Sequence, residues 1–239
     1  PEFLLKAITG FKLNCKYPNL ELIVSDDCSE PPIEEHLKDF PIDIFTKTEI
    51  NQGLGANSNN GLRAATGEFI LHNQDDFVCI SNEPFIEKSI AIMEKHFEVG
   101  LVRLHHLTPF PNKTNHTLSD VTPYSILKFD QPIDMKNRIY IYSDHPHLKR
   151  ADFHDKCGYF AEGLKVGETE DEFCNRFNSN QSYMVATLWR TDLFKNMGLT
   201  KSTRKLNKRT LFRNYLEKSV TGLKLLKLYS KIPQKLRKT

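Results

Sequence analysis

In the stretch 67–77, GEFILHNQDDF, a short apolar run is followed within a few residues by two adjacent aspartates. Asp75 and Asp76 repel one another, so the pair needs a cation, hydrogen-bond donors or open solvent to be tolerable. An apolar run of this length, bounded by a glycine and a polar cluster, predicts a buried strand. The same arrangement occurs earlier, where the run LELIV precedes Asp26 and Asp27. Strands that end in paired acids therefore constrain both the fold and the chemistry.

Strand and helix patterns alternate along the first half of the chain. In chain order they predict a helix at 1–14, a strand at 20–24, a short helix at 33–40, a strand at 41–48, a helix at 56–65, a strand at 69–73, a helix at 83–97 and a strand at 100–107. Such alternation predicts an α/β fold with a mostly parallel sheet flanked by helices. Ligands of these sheets bind beyond the carboxyl ends of the strands, so the two acidic pairs are expected to share one cleft.

The second half of the chain gives weaker patterns. Residues 108–150 are rich in Pro, Asn and His, and we interpret them as an irregular, functional loop region. A helix is predicted over 170–178, and 184–198 predicts a strand followed by a helix. Residues 201–239 contain thirteen Lys or Arg and one acid, a net charge of +12, whereas 1–200 carry −9. We therefore expect a domain over 1–200 and a basic, amphipathic helical extension over 201–239.

Composition excludes several classes of protein. With 39% hydrophobic and 26% charged residues, the chain has the balance of a globular domain. It contains no apolar run long enough to span a bilayer and no recognisable signal peptide. Five scattered cysteines without C-x-x-C spacing indicate neither a disulfide framework nor a zinc site. A cytoplasmic location is the expectation that follows.

Three segments together resemble a known family. They are ELIVSDDCSE, then NQGLGANSNNGLRAATGEFILHNQDD, then GYFAEG followed by TEDEF. In this order they are similar to the family 2 glycosyltransferases of GT-A fold, and the resemblance covers roughly residues 1–178. It implies a GT-A, Rossmann-like α/β domain that binds a nucleotide sugar.

The resemblance also implies a role for particular residues. It implies that the nucleotide sugar is bound by Asp26, Asp27, Asn51 and Asp75, and that Asp76 is the ligand of a Mn²⁺ or Mg²⁺ cofactor. It implies that Asp171 is the catalytic base, with Glu170 beside it. The residues implied on the acceptor side are Tyr159 and Glu162. Such a metal neutralises the charge that grows on a diphosphate leaving group, and a nearby carboxylate takes the acceptor's proton.

The implied function is a metal-dependent, inverting glycosyltransferase that moves a sugar from a nucleotide diphosphate donor, expected to be UDP-linked, to a glycan or lipid-linked acceptor. One alternative is a nucleotidyltransferase, which also binds a nucleotide with metal on an α/β sheet. Another is a non-catalytic relative that binds a glycan or scaffolds a membrane assembly. Taken without the resemblance, each acidic pair is also compatible with a solvated turn.

The chain departs from the family pattern at several positions. Gln74 stands where the first carboxylate of the D-x-D motif is usual, and Ser58 where many relatives carry Arg. Cys28 replaces a glycine, which we expect the loop to accept only if φ at this residue is negative. The family's opening strand is absent, so we expect the sequence to begin partway through the protein.

Two further features bear on partners. His145 and His147 have a spacing that could ligate a metal, although ordinary loop histidines near an acceptor groove are the favoured interpretation. The basic extension 201–239 predicts binding to an anionic membrane surface, which would place the protein peripherally at the inner face of the membrane. Nucleic acid is not expected as a partner, because no nucleic-acid-binding motif accompanies the charge.

Overall fold

The computed structural model describes residues 1–105, 113–128, 141–179, 182–188 and 192–198. All of them except Gly198 lie in a compact unit that runs from Pro1 to Met197. The extension 201–239, with its predicted helices, lies outside the described residues, and the predicted division into domains stays a prediction.

The helices and strands are named here in chain order. The helices are α1 (Glu2–Asn14), α2 (Glu34–Leu37), α3 (Leu54–Ala64), α4 (Phe85–Lys95), α5 (Phe153–Cys157) and α6 (Val166–Ser179). The strands are β1 (Ile23–Asp26), β2 (Ile44–Lys47), β3 (Phe69–His72), β4 (Phe77–Cys79), β5 (Val99–Arg103), β6 (Lys113–Thr117), β7 (Pro123–Leu127), β8 (His147–Arg150), β9 (Met184–Leu188) and β10 (Phe194–Asn196).

The strands form one large sheet and two strand pairs. The large sheet has the order β3-β8-β5-β9-β7-β6, while β1 pairs with β2 and β4 with β10. The predicted α/β class is confirmed, but the sheet is mixed rather than mostly parallel. Among the described strands, β1–β2 and β5–β9 are parallel pairs, and the other pairs are antiparallel.

The antiparallel pairs arise where the sequence pattern was weak. The region 108–150, interpreted as irregular, contains β6, β7 and β8. Strand β6 reads KTNHT and carries no apolar run, because it lies at the edge of the sheet. Strand β8 reads HLKR, and its histidine and lysine are buried, so hydrophobicity does not reveal it. The strand expected at the start of 184–198 is β9, but the helix expected after it is wrong, since 194–196 form β10.

Both faces of the large sheet are covered. On one face, Val102 of β5 and Ala186 of β9 pack with the α4 residues Ile92 and Met93. On the other face, Leu101 of β5 and Val185 of β9 pack with residues of α5 and α6. The helix residues are Phe153, Phe173 and Phe177. All five residues of β5 are buried, as expected for a central strand between two helical layers. Within the described ranges, no helix is long and apolar enough to cross a membrane.

Candidate active site

The first acidic pair closes β1. Asp26 is the last residue of the strand and is only 4% exposed. Its carboxylate accepts hydrogen bonds from the backbone N–H of Ser29, at 3.2 Å, and from the Ser29 hydroxyl. Asp26 thus stabilises the turn that follows the strand.

The neighbouring carboxylate caps a helix. Asp27 accepts hydrogen bonds from the backbone N–H groups of Gln52 and Gly53, each at 2.7 Å, and from the Thr48 hydroxyl at 3.1 Å. Gly53 is the N-cap of α3, so an anion at this position also interacts favourably with the helix dipole. The Asn51 side chain donates to the backbone carbonyl of Asp27 at 3.2 Å. The structure therefore brings Asp27 and Asn51 together at the start of α3.

The loop accepts Cys28 in a conformation that the sequence did not predict. Its φ is +57°, in the left-handed region, whereas we expected a negative φ once glycine had been replaced. The local chain therefore keeps the geometry that a glycine would adopt here, at the steric cost of a Cβ. The Cys28 thiol lies 3.3 Å from the backbone carbonyl of Glu49.

The second acidic pair forms the turn between β3 and β4. Asp75 is exposed, whereas Asp76 is half-buried. Burial raises the pKa of the Asp76 carboxyl, and the charge of Asp75 raises it further. One oxygen of that carboxylate, Oδ1, is buried without a hydrogen-bond partner among the described residues. A buried acceptor that is left unpaired is costly, and no described residue offsets that cost for this oxygen.

The unpaired oxygen fits a hard divalent cation. Mg²⁺ and similar ions bind through one or two carboxylates and complete their coordination with substrate phosphates and water. Asp76, with Asp75 beside it, provides such a donor set. In the described part of the chain, no group of three or more His, Cys, Asp or Glu side chains could hold a metal ion. A carboxylate pair at this turn fits an ion whose remaining ligands come from phosphate and water.

The histidines lie deeper than the sequence suggested. His147 is fully buried on β8, and its ring stacks on His72 with centroids 4.9 Å apart. His145 packs against Phe77, and its Nδ1 lies 3.3 Å from Nδ1 of His105. Burial lowers the pKa of His145 to about 3 and that of His147 well below its usual range. We expected loop histidines near a groove. His145 does lie in the loop before β8 and is partly buried, whereas His147 is a buried strand residue.

The predicted acceptor side is an ordered loop, 158–163, between α5 and α6. The Tyr159 ring is 38% exposed, and the Arg63 guanidinium of α3 lies 5.4 Å from its centre. Arg63 also lies 3.5 Å from the Glu162 carboxylate. A Cβ at Gly55 of α3 would meet the Ala161 carbonyl oxygen at 2.1 Å, so the loop rests directly on the first turn of α3. The structure thus brings the acceptor-side residues next to the helix that Asp27 caps.

The predicted catalytic pair lies on α6. Phe173 and Phe177 form its buried face, which places Asp171 in solvent and Glu170 at an intermediate depth. Burial raises the pKa of Tyr142 well above its usual range, with Asp144 adding to the rise and the charge of Glu170 contributing least. Asp27 and the acceptor loop both contact the start of α3, Asp27 at Gly53 and the loop at Gly55. Asp76 and Asp171 are placed by their own elements, the turn between β3 and β4 and helix α6.

A mixed sheet between helical layers, with acids at strand ends, is the architecture of GT-A glycosyltransferases, and this is the class of protein that the fold and the site define. The sequence model of the family described as Glycosyl transferase family 2 matches residues 1–161. The chain belongs to glycosyl transferase family 2, which confirms the resemblance found in the sequence.

Solved structures show the same fold. The chain is similar to S. aureus TarS 1-349 in complex with UDP-GlcNAc, with 18% identity and a TM-score of 0.58 over 90% of this chain and 62% of that one. It is similar to the UDP complex of the same protein, with 19% identity and a TM-score of 0.55 over 81% of this chain and 56% of that one. A curated relative, an uncharacterised glycosyltransferase of Haemophilus influenzae, is 32% identical over 85 residues, which are 35% of this chain and 28% of that protein. The chain thus spans less than two thirds of the length of these relatives.

Proposed function

We propose that this chain is a metal-dependent, inverting glycosyltransferase that moves a sugar from a UDP-linked donor to a glycan or lipid-linked acceptor. The observation that supports the proposal is the buried Oδ1 of Asp76, unpaired among the described residues, in the turn between β3 and β4. Membership of the family supports it, and so does the fold shared with TarS, which was solved in complex with UDP-GlcNAc.

On the donor side, Asp76 would hold Mn²⁺ or Mg²⁺. When bound, the ion supplies Lewis-acid neutralisation of the charge that develops on the departing diphosphate. Asp75 is exposed beside it and can contact the ribose or the phosphates with the ion. Asp26, Asp27 and Asn51 form the ordered loop that would receive the nucleoside, and its hydrogen bonds fix the backbone before the ligand arrives.

On the acceptor side, Asp171 would act as the general base, with Glu170 beside it. The acceptor hydroxyl oxygen forms a bond to the anomeric carbon, the bond from that carbon to the diphosphate oxygen breaks, and the hydroxyl proton passes to the carboxylate of Asp171. A single base opposite the leaving group gives inversion at the anomeric carbon. Tyr159 offers an exposed ring for stacking on a sugar, and Glu162 offers a carboxylate held by Arg63.

The basic extension 201–239 would bind the anionic surface of a membrane, because its net charge is +12.

The test is a donor assay. The full chain is incubated with Mn²⁺ and a panel of nucleotide sugars that includes UDP-GlcNAc, and release of nucleoside diphosphate is followed. We expect release from one donor, and we expect Asp76→Ala and Asp171→Asn each to abolish it. Asp39→Asn is the matched control, since Asp39 is exposed and is none of the residues assigned to the site. Pyrophosphate as the product would identify a nucleotidyltransferase instead, and nucleotide binding without turnover a non-catalytic relative.

A further inference from the structure

The acceptor loop is held at its backbone by a buried amide from α3. Asn59 is 1% exposed. Its Oδ1 accepts the backbone N–H of Phe160 at 3.0 Å, and its Nδ2 donates to the Phe160 carbonyl at 3.0 Å. The same Nδ2 donates to the Glu162 carboxylate at 2.8 Å. One side chain therefore satisfies both backbone groups of Phe160, as a neighbouring strand would, and also orients Glu162.

A second set of contacts holds the loop from the opposite side. Arg176 of α6 donates to the backbone carbonyls of Cys157 and Tyr159, each at 2.7 Å. His154 of α5 has Nδ1 3.0 Å from the Gly158 carbonyl, and the Gly158 N–H donates to the His154 carbonyl at 2.8 Å. Gly158 has φ +84°, and a Cβ there would meet the Arg176 guanidinium at 2.3 Å. The loop is thus fixed between α3 and α6.

The cost of Asn59 indicates that it is retained for these contacts. Asparagine is a poor residue for a helix interior, since its side chain competes for backbone hydrogen bonds. Two residues earlier, Asn57 faces the donor side, where it exchanges hydrogen bonds with Ser25 of β1 at 2.7 and 3.2 Å. On α3, Asn57 therefore contacts β1, whereas Asn59 contacts the acceptor loop.

We propose that Asn59 is a positioning residue that fixes Tyr159 and Glu162 for the acceptor, with Arg176 as the opposing anchor. The inference rests on the proposed function for its catalytic meaning. Asn59 acts through the loop and contacts none of the residues assigned to the donor, so its loss should free the loop while nucleotide binding stays intact.

The experiment compares variants of the full chain in two measurements. Hydrogen–deuterium exchange followed by mass spectrometry reports on the peptide that covers 158–164, and calorimetry gives the Kd of UDP in the presence of Mn²⁺. Asn59→Ala is compared with Asn60→Ala, a neighbouring amide on the same helix. A third comparison exchanges donor and acceptor in the hydrogen bond between residues 59 and 162. Asn59→Asp alone places two carboxylates side by side. Adding Glu162→Gln provides an amide at position 162 that can donate to the carboxylate at position 59.

We expect Asn59→Ala to speed exchange in 158–164 by about 10-fold, the effect of losing one to two net hydrogen bonds, with the Kd of UDP unchanged within about twofold. Asn60→Ala should change neither quantity. Asn59→Asp should also speed exchange. Glu162→Gln in that background should reverse only the part that comes from the contact with residue 162, since a carboxylate at position 59 cannot donate to the Phe160 carbonyl.

Exchange in 158–164 that is equal in the Asn59→Ala and Asn60→Ala variants would overturn the proposal. So would faster exchange that extends over α3 and β1 together with weaker UDP binding, since that pattern marks general destabilisation. If the unmodified chain does not bind UDP with Mn²⁺, the proposed function fails, while the exchange comparison still decides whether Asn59 holds the loop.

Discussion

Asp76 presents a conflict between stability and ligand binding within a single residue. Its carboxyl is half-buried beside another acid, and its pKa is raised by burial and by Asp75. The ionised form is therefore less favourable in the folded state than in the unfolded chain. The free energy of unfolding therefore falls as pH rises above the pKa of the unfolded state, and the loss reaches its maximum above the pKa of the folded state. Residues that are kept at such a cost are typical of functional sites.

We therefore expect Asp76→Asn to raise the melting temperature of the metal-free protein at neutral pH and to abolish Mn²⁺-dependent UDP binding. The increase should vanish at about pH 3, where the carboxyl is protonated in both states. Thermal scans at the two pH values and calorimetry with UDP provide the measurements. Asp75→Asn is the matched control and should stabilise less, because Asp75 is exposed. A lower melting temperature for Asp76→Asn would contradict the expectation.

Cys28 illustrates backbone strain in the loop between β1 and α2. Its φ of +57° places a Cβ in a conformation that costs about 1–2 kcal/mol. Glycine would relieve that cost but loses about 0.5–1 kcal/mol in the entropy of the unfolded chain. We expect Cys28→Gly to stabilise the protein by roughly 0.5–1 kcal/mol, as the net of these effects.

Urea unfolding measures the change, and Cys28→Ala is its control. Alanine removes the thiol but keeps the Cβ, so it should give no gain. Equal stabilisation by alanine and glycine would show that the thiol, rather than φ, is the source of the cost.

At the level of elements, α3 connects the two sides of the site. Its start is capped by Asp27, and its first turn touches the loop at Ala161. We expect Gly55→Ala to destabilise the protein by about 1–3 kcal/mol, because the new Cβ would overlap a backbone carbonyl that cannot move freely.

Gly61→Ala on the same helix is the comparison. The nearest atom to an added Cβ there would be Ser25 Cβ at 3.3 Å, a tight contact with a side chain rather than an overlap with a backbone oxygen at 2.1 Å. The gain of about 1 kcal/mol in helix propensity on replacing glycine should offset much of that crowding. Urea unfolding of both variants tests the difference, and equal costs would mean that the contact of α3 with the loop does not constrain the fold.

A buried lysine influences the pH dependence of the whole molecule. Lys149 is fully buried on β8, and its Nζ lies 2.9 Å from Nε2 of His154. Burial lowers the pKa of Lys149 to about 7, although the Asp144 charge opposes the change. The unfolded chain keeps its lysine protonated to about pH 10, so between about pH 7 and 10 it binds one proton more than the folded chain. Stability should therefore rise with pH across that window.

We expect this rise to reach up to about 1.4 kcal/mol per pH unit and to disappear in Lys149→Met. Urea unfolding across the window is the measurement. Lys156→Met is the control, because Lys156 is exposed and its pKa is raised by Asp152. A slope that survives in Lys149→Met would assign the pH dependence to other groups.

The whole chain combines an acidic domain with a basic extension. We expect the full chain to sediment with vesicles that contain anionic lipid, and we expect binding to be lost on deletion of 201–239 and weakened by salt. Vesicles of neutral lipid are the control. Binding that is indifferent to both the deletion and the salt would contradict the proposed membrane contact.

Local sequence patterns determined much of this protein. Helical spacing of apolar residues identified α1 and α4, glycines at both ends marked α3, and local patterns indicated α2 and α6. Strand patterns identified β1, β2, β3, β5 and β9. The motifs, in the order in which they occur along the chain, identified the family before the fold was known. These features depend on residues close together in the chain, where period and turn chemistry are expressed directly.

Tertiary structure determined the features that depend on residues far apart in the sequence. The polar strands β6 and β8 exist because neighbouring strands satisfy their backbone groups, and Lys149 is buried because His154 and Asp144 surround it. Asn59 gains its role from hydrogen bonds to residues about a hundred positions away. Such partners meet only after the chain has folded, so the sequence alone identified the strand-end acids and only the tertiary structure identified the side chains that hold the loop beside α3.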